Sequence, residues 1–196
     1  HPLVDEAHIT GSILSHETIV WGPPGPERDR RKAENNPVLR KTITSELGNV
    51  SPWIVAPGKY TEAQLWFQAQ NLASSVANNA SFNCVATKVV ITWKGWNQRK
   101  QFLDLVEKAL AAIPPRKAYY PGAADRWKKF TGDNPTGCPT GALPWRIIRD
   151  VDSKSKSIHF VEENFVCVFV ETAIDASDEI DFLAKATEFA NHQLRG

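Results

Sequence analysis

Methionine is missing from all 196 residues of this chain, which therefore lacks a start residue as given and opens on His1-Pro2. Either the N-terminus has been processed or the sequence is an excised piece of a longer protein. Cysteine is scarce. Cys84, Cys138 and Cys167 are an odd number with no Cys-x-x-Cys spacing, which speaks against a disulfide framework or a zinc ribbon and for a reducing, cytoplasmic setting. The five histidines (His1, His8, His16, His159, His192) never pair at i, i+3 or i+4, so no helical metal site is expected. Excess charge of one sign is absent too. With 23 Lys+Arg against 22 Asp+Glu, nothing favours nucleic acid or an anionic membrane as partner. The longest apolar runs, such as Phe165 to Val170, fall far short of the roughly 20 residues of a spanning helix. Gly-x-Gly-x-x-Gly, Gly-x-x-x-x-Gly-Lys-[Ser/Thr] and Gly-x-Ser-x-Gly do not occur either, which removes the commonest phosphate loops and the nucleophile elbow.

What is present is core material: seven Trp, nine Phe and abundant Val, Ile and Leu, enough for one sizeable core or one core and part of another. Ala7–Thr10 reads as a strand stopping at Gly11-Ser12, and Ile13–Trp21 as a short helix. Gly22 to Pro37 holds four Pro, two Gly and the charge run Glu27–Lys32, and reads as a solvated surface insertion. Val38–Glu46 and Val50–Val55 read as strands. Thr61 is a candidate N-cap for a helix whose Leu65, Ala69, Leu72, Ala73 and Val76 share one face. Thr87–Trp93 is a buried strand by composition. Asn97–Ile113 is a second amphipathic helix, ended by Pro114-Pro115. Lys117–Leu143 shows no convincing period and reads as loop. Trp145–Val151 and Ile158–Thr172 read as strands, and Asp175 or Ser177 caps a final helix. Alternating strands and helices predict an α/β fold with a largely parallel sheet flanked by helices.

Few residues invite chemistry. Cys84 lies in a connector between a helix with a polar turn and a buried strand. Backbone N–H dipoles can activate a thiol there; alternatively it is an ordinary buried cysteine. Cys167 reads as core and Cys138 as a loop thiol. Glu46 ends a strand beside Leu47-Gly48, where α/β proteins place site residues, or it is a solvated strand end. Thr10-Gly11-Ser12, between strand and helix, is a turn that lets backbone approach a phosphate or ribose.

In chain order these segments resemble the aldehyde dehydrogenase superfamily. The Thr-Gly-Ser turn is matched by Thr10-Gly11-Ser12, preceded by His1-Pro2 as in many members. The Glu-Leu-Gly-Gly motif and following Ser-Pro are matched by Glu46-Leu47-Gly48-Asn49 and Ser51-Pro52. The cysteine is matched by Cys84, 38 residues beyond Glu46, and the Glu-x-Phe motif by Glu163-Asn164-Phe165. Several positions depart from the pattern and mark a divergent branch. Asn49 replaces the second Gly, Asn79-Ala80-Ser81-Phe82-Asn83-Cys84 replaces Asn-x-Gly-Gln-x-Cys, Val166-Cys167 replaces Gly-Pro, and 22–40 is longer than usual.

The resemblance implies that residues 1–46 are the tail of an NAD(P)-binding domain with an inserted loop at 22–40. Residues 47–196 would be the catalytic domain, cut at its C-terminal side. It implies oxidation of an aldehyde to a carboxylic acid with NAD or NADP: Cys84 as nucleophile, hydride passing from the thiohemiacetal to the nicotinamide, and Glu46 activating the water that hydrolyses the thioester. Glu163 would bond the nicotinamide ribose and Phe165 pack by the ring, while Gly11, Ser12, Leu47 and Gly48 would border the cofactor. A homo-oligomer is implied for the full-length protein, and neither tight NAD(P) binding nor aldehyde turnover for a 196-residue piece. Two alternatives stay open: a CoA-type acyl-transferring relative, against which Glu46 argues, and a non-catalytic scaffold or binding protein keeping the fold.

Overall fold

The computed structural model describes residues 3–196; the His1-Pro2 match lies outside the described residues. The chain divides into two compact units, His1–Gly48 and Asn49–Gly196. The first holds strand β1 (Glu6–Gly11), helices α1 (Ile13–Trp21) and α2 (Pro26–Ala33), and strand β2 (Thr42–Leu47). β1 and β2 pair in parallel, Thr10 opposite Glu46 and Gly11 opposite Leu47. The expected strand from Val38 begins only at Thr42, because the Val38 and Leu39 amides both donate to the Val20 carbonyl near the end of α1. The expected loop at 22–37 contains a helix. Pro26 opens α2, where its missing N–H costs nothing. Glu27–Arg30, Glu27–Arg31 and Arg30–Glu34 pairs at helical spacing lace its surface. Arg28 and Lys32 reach Glu17 on α1. α2 buries none of its residues, so the segment is surface as expected, but ordered by its charges.

The second unit is built on a four-stranded parallel sheet in the order β3-β4-β6-β5: β3 (Pro52–Ile54), β4 (Val89–Trp93), β5 (Arg146–Ile148) and β6 (Val168–Ile174). Helices α3 (Glu62–Ala77) and α4 (Arg99–Ala111) cover one face, with Leu65, Leu72, Val76, Phe102 and Val106 packed with Val90 and Phe169. Helix α7 (Glu179–Gln193) and the single turn α6 (Ile158–Val161) cover the other, with Phe160, Phe182 and Phe189 among Val89, Ile91 and Val170. The alternation of Val89, Val90 and Ile91 between the two faces is the two-residue period of a strand. The run is apolar throughout because both faces are buried. Thr61 caps α3 as expected, and Gln64 completes a capping box. The cap of α7 is Asp178, which accepts from the Ile180 and Asp181 amides, not Asp175 or Ser177.

Two stretches differ further from the sequence reading. Lys117–Leu143 contains helix α5 (Ala123–Thr131), whose buried Ala123, Trp127 and Phe130 form a one-sided stripe in only nine residues. Ile158–Thr172 is not one strand. Its start is the turn α6, and Glu163-Asn164-Phe165 lies in the connector before β6. Phe165 takes a left-handed φ of 46°, which ends any strand there.

One ion pair joins α4 to the sheet. Glu171, 0% exposed, accepts from Arg99 Nε at 2.9 Å and Arg99 Nη2 at 2.7 Å, from the Asp150 amide at 3.0 Å, and from the Thr92 hydroxyl. Removing one partner of such a pair leaves a buried charge uncompensated. Arg99→Met is expected to lower the unfolding free energy of this unit by about 3–5 kcal/mol. Arg99→Met with Glu171→Met should recover much of that loss. Urea titrations of both variants check the pair, and equal destabilisation would contradict it.

Candidate functional site

In a parallel sheet the residues just before each strand gather at one edge. Ser51 precedes β3, Lys88 precedes β4 and Cys167 precedes β6. Cys84 belongs to the connector reaching that edge. The Ser51 hydroxyl lies 2.6 Å from the Cys84 carbonyl oxygen and 2.7 Å from Asn49 Oδ1, one O–H shared between two acceptors. The Ser51 carbonyl accepts the Lys88 and Val89 amides at 2.9 and 3.2 Å. The Ser-Pro segment and the cysteine, 33 residues apart in sequence, are thus in direct contact.

Cys84 is half-buried and its thiol lies 3.8 Å from Asn83 Oδ1. Its amide N–H donates to no other group among the described residues. The turn before it is unusual. Asn79, Ala80 and Ser81 all take left-handed φ values, 51°, 54° and 68°. Each non-glycine residue there costs about 1–2 kcal/mol. Local bonds offset part of this: Asn79 Nδ2 donates to the Phe82 carbonyl at 2.9 Å, and the Tyr119 hydroxyl donates to Asn79 Oδ1 at 3.1 Å.

Phe82 links the turn to the Glu-x-Phe segment. Its ring lies 6.0 Å from Phe165, 5.0 Å from Tyr119 and 5.7 Å from Tyr120, and Tyr120 meets Phe165 edge-on at 5.0 Å. Asn164, fully enclosed, shapes this connector by accepting the Val166 amide at 3.1 Å and donating to the Val168 carbonyl at 2.7 Å. Glu163 is half-buried, and its Oε1 has no hydrogen-bond partner. Burial raises its carboxyl pKa, while Lys88 and Arg126 oppose the shift. Arg126, from α5, sits over the Tyr120 ring at 5.7 Å and donates to the Pro121 carbonyl.

Lys88 is 2% exposed. Its ammonium donates to the Ser81 carbonyl at 3.0 Å, the Ser81 hydroxyl at 3.1 Å and the Val166 carbonyl at 3.5 Å. Burial pushes its pKa down to about 8, against the pull of Glu163, Cys167 and Cys84. The other thiols are less available. Cys167 is buried and its pKa is pushed up to about 12 by burial. Cys138 is half-buried rather than an open loop thiol, and burial raises its pKa.

The remaining expected residues belong to the first unit. Gly11, Ser12, Glu46, Leu47 and Gly48 lie together at the carboxyl edge of the β1–β2 pair, where the Gly48 amide donates to the Gly11 carbonyl at 3.4 Å. Glu46 is exposed. The Ser12 hydroxyl caps α1, accepting the Ser15 amide at 3.1 Å. Sequence reasoning missed Lys88, Asn164, Tyr120 and Arg126. The signal for Lys88 was available: a lysine opening a strand that is otherwise apolar and β-branched. Among the described residues no cluster of three or more His, Cys, Asp or Glu could hold a metal, and no helix is long and apolar enough to cross a membrane.

No family model matches the chain, and no curated protein matches it. Solved structures do match in fold. An NAD-dependent aldehyde dehydrogenase from Sinorhizobium meliloti superposes with TM-score 0.69 at 17% identity over 97% of this chain and 37% of its own. Lactaldehyde dehydrogenase from Escherichia coli gives 0.69 at 19% identity, over 97% of this chain and 39% of its own. Gamma-glutamyl-gamma-aminobutyraldehyde dehydrogenase from Burkholderia cenocepacia J2315 gives 0.66 at 20%, over 97% and 38%. The chain thus has an aldehyde dehydrogenase fold and spans under two-fifths of the length of these structures.

Two measurements follow from the geometry. With iodoacetamide on the folded protein near neutral pH, Cys84 should be carbamidomethylated first and Cys167 last, as read by peptide mass spectrometry, because only the thiolate reacts; preferential labelling of Cys167 would contradict the placement. Lys88 binds its proton less tightly folded than unfolded. Between about pH 8 and about pH 10.5 the unfolded chain therefore holds more protons, and this residue's contribution to stability must rise with pH. Urea midpoints should show the wild-type stability gaining on Lys88→Met across that window. A wild-type-minus-variant stability that falls as pH rises through this window would contradict the burial of a charged amine.

Proposed function

We propose that this chain carries the cysteine-bearing part of an NAD(P)-dependent aldehyde dehydrogenase, which oxidises an aldehyde to a carboxylic acid. In this reading residues 1–46 are the end of the cofactor-binding domain and 47–196 belong to the catalytic domain. The observation that carries it is the convergence on one sheet edge of Ser51-Pro52, Cys84 and Glu163-Asn164-Phe165, in a fold shared with aldehyde dehydrogenases. The unpartnered Oε1 of Glu163 also fits: a buried carboxylate oxygen without a donor suits the hydroxyls of a cofactor ribose.

Cys84, as thiolate, attacks the aldehyde carbon, and the carbonyl oxygen becomes an oxyanion. The Cys84 amide, which donates to nothing else among the described residues, is available to stabilise that charge. Bound NAD(P) would supply the hydride acceptor. Glu163 would orient the cofactor by its ribose hydroxyls, Phe165 would wall the ring, and Gly11, Ser12, Leu47 and Gly48 would border it. Glu46 then takes a proton from the water that cleaves the Cys84 thioester and releases the acid.

The test is made on the intact gene product with an aliphatic or aromatic aldehyde and NAD or NADP. Cys84→Ser should cut NAD(P)H formation by about 10³-fold or more, since it removes the nucleophile. Glu46→Gln should leave a single-turnover burst of NAD(P)H and slow the steady state by about 10²-fold. Wild-type rates in the Cys84→Ser protein would reject the reading.

A further inference from the structure

Lys88 has no part in the chemistry just described, yet it touches both segments that frame Cys84. We propose that Lys88 is a positioning residue for the Cys84 thiol, its ammonium clamping the left-handed turn that presents the cysteine to the connector that carries Glu163. Three observations lead there. The turn Asn79–Ser81 is conformationally costly and leads directly into Phe82-Asn83-Cys84. Lys88 supplies two of the hydrogen bonds that hold its last residue, to the carbonyl and the hydroxyl of Ser81, and a longer third to the Val166 carbonyl. An amine that is 2% exposed is also an expensive group to bury for packing alone, since an apolar side chain would fill the same space without a desolvation cost.

The clamp acts through geometry. It fixes the geometry of the turn, because a primary amine can donate three bonds from one point and here reaches two chain segments. The charged and titratable groups that face the amine are Glu163 and Cys167 from the following connector and Cys84 from its own. Arg126 from α5 acts on Glu163 in turn. The inference goes beyond the dehydrogenase reading and is tested without aldehyde or cofactor, so failure of either leaves the other standing.

The experiment measures the second-order rate of Cys84 alkylation by iodoacetamide from about pH 6 to about pH 10, quantified by peptide mass spectrometry, in wild-type, Lys88→Met, Lys88→Arg and Ser81→Ala proteins. Circular dichroism and a melting curve certify folding. Lys88→Met should slow Cys84 alkylation by about tenfold across this pH range, because the thiol is no longer held in its presenting turn. Lys88→Arg, which keeps charge and donors, should restore most of the rate. Ser81→Ala, which deletes one acceptor and leaves the carbonyl, should slow it by about two- to threefold. A folded Lys88→Met protein with the wild-type rate profile overturns the proposal. If Lys88→Met does not fold, an unchanged rate in Ser81→Ala overturns it.

Discussion

The buried amine of Lys88 is the constraint to which the rest of this edge of the sheet conforms. Cut off from water, it must be met by protein acceptors, and every acceptor it finds belongs to a segment that frames Cys84: the carbonyl and hydroxyl of Ser81 and the carbonyl of Val166. Ser81 can serve only if the chain turns left-handed for three residues, a shape that L-residues adopt at a cost. The Asn79 and Tyr119 bonds supply part of what holds it. The amide of the same lysine is held from the other side by the Ser51 carbonyl. One residue therefore ties β3, the turn and the approach to β6 to a common point.

That point sits on the amino edge of the second sheet, whereas open α/β sheets generally offer their carboxyl edges to ligands. In the first unit the candidate residues Gly11, Glu46 and Leu47 lie at the carboxyl edge of its strand pair. In the second unit the candidate residues lie instead in the connectors that lead into strands. Those connectors are held by side chains rather than by a helix dipole: Ser51 on Cys84, Asn164 on its own loop, and Phe82 against Phe165. In the same unit the enclosed Glu171 carboxylate is met by two Arg99 nitrogens, the Thr92 hydroxyl and the Asp150 amide, while Arg99 stays partly exposed and also pairs with the Asp150 carboxylate.

Charge plays a different role in the first unit. The run Glu27–Lys32 looks in sequence like a solvated insertion. Its helix is supported by charges three and four apart, with Glu27 reaching Arg30 and Arg31, and Arg30 reaching Glu34, on the next turn. Its links to Glu17 fasten it to α1. Polarity correctly announced that this segment has no core to join. It could not announce that the segment is ordered.

By itself the sequence determined the class of fold, because periods of two and of 3.6 are written in the positions of Val89 to Ile91 and of Leu65 to Val76. It also determined the order of the motifs around Glu46, Cys84 and Glu163. It mistook α5 for loop, since a stripe of only Ala123, Trp127 and Phe130 barely exceeds chance in nine residues. It ran one strand through Glu163–Phe165, since composition cannot reveal that Asn164 folds back on the Val166 amide. Only the tertiary structure decided that Ser51 bonds to Cys84 and that Lys88 spans the turn and the Val166 connector. Those contacts join residues 33 and 78 positions apart, and their existence depends on parallel strands laying distant connectors side by side, which no local pattern encodes.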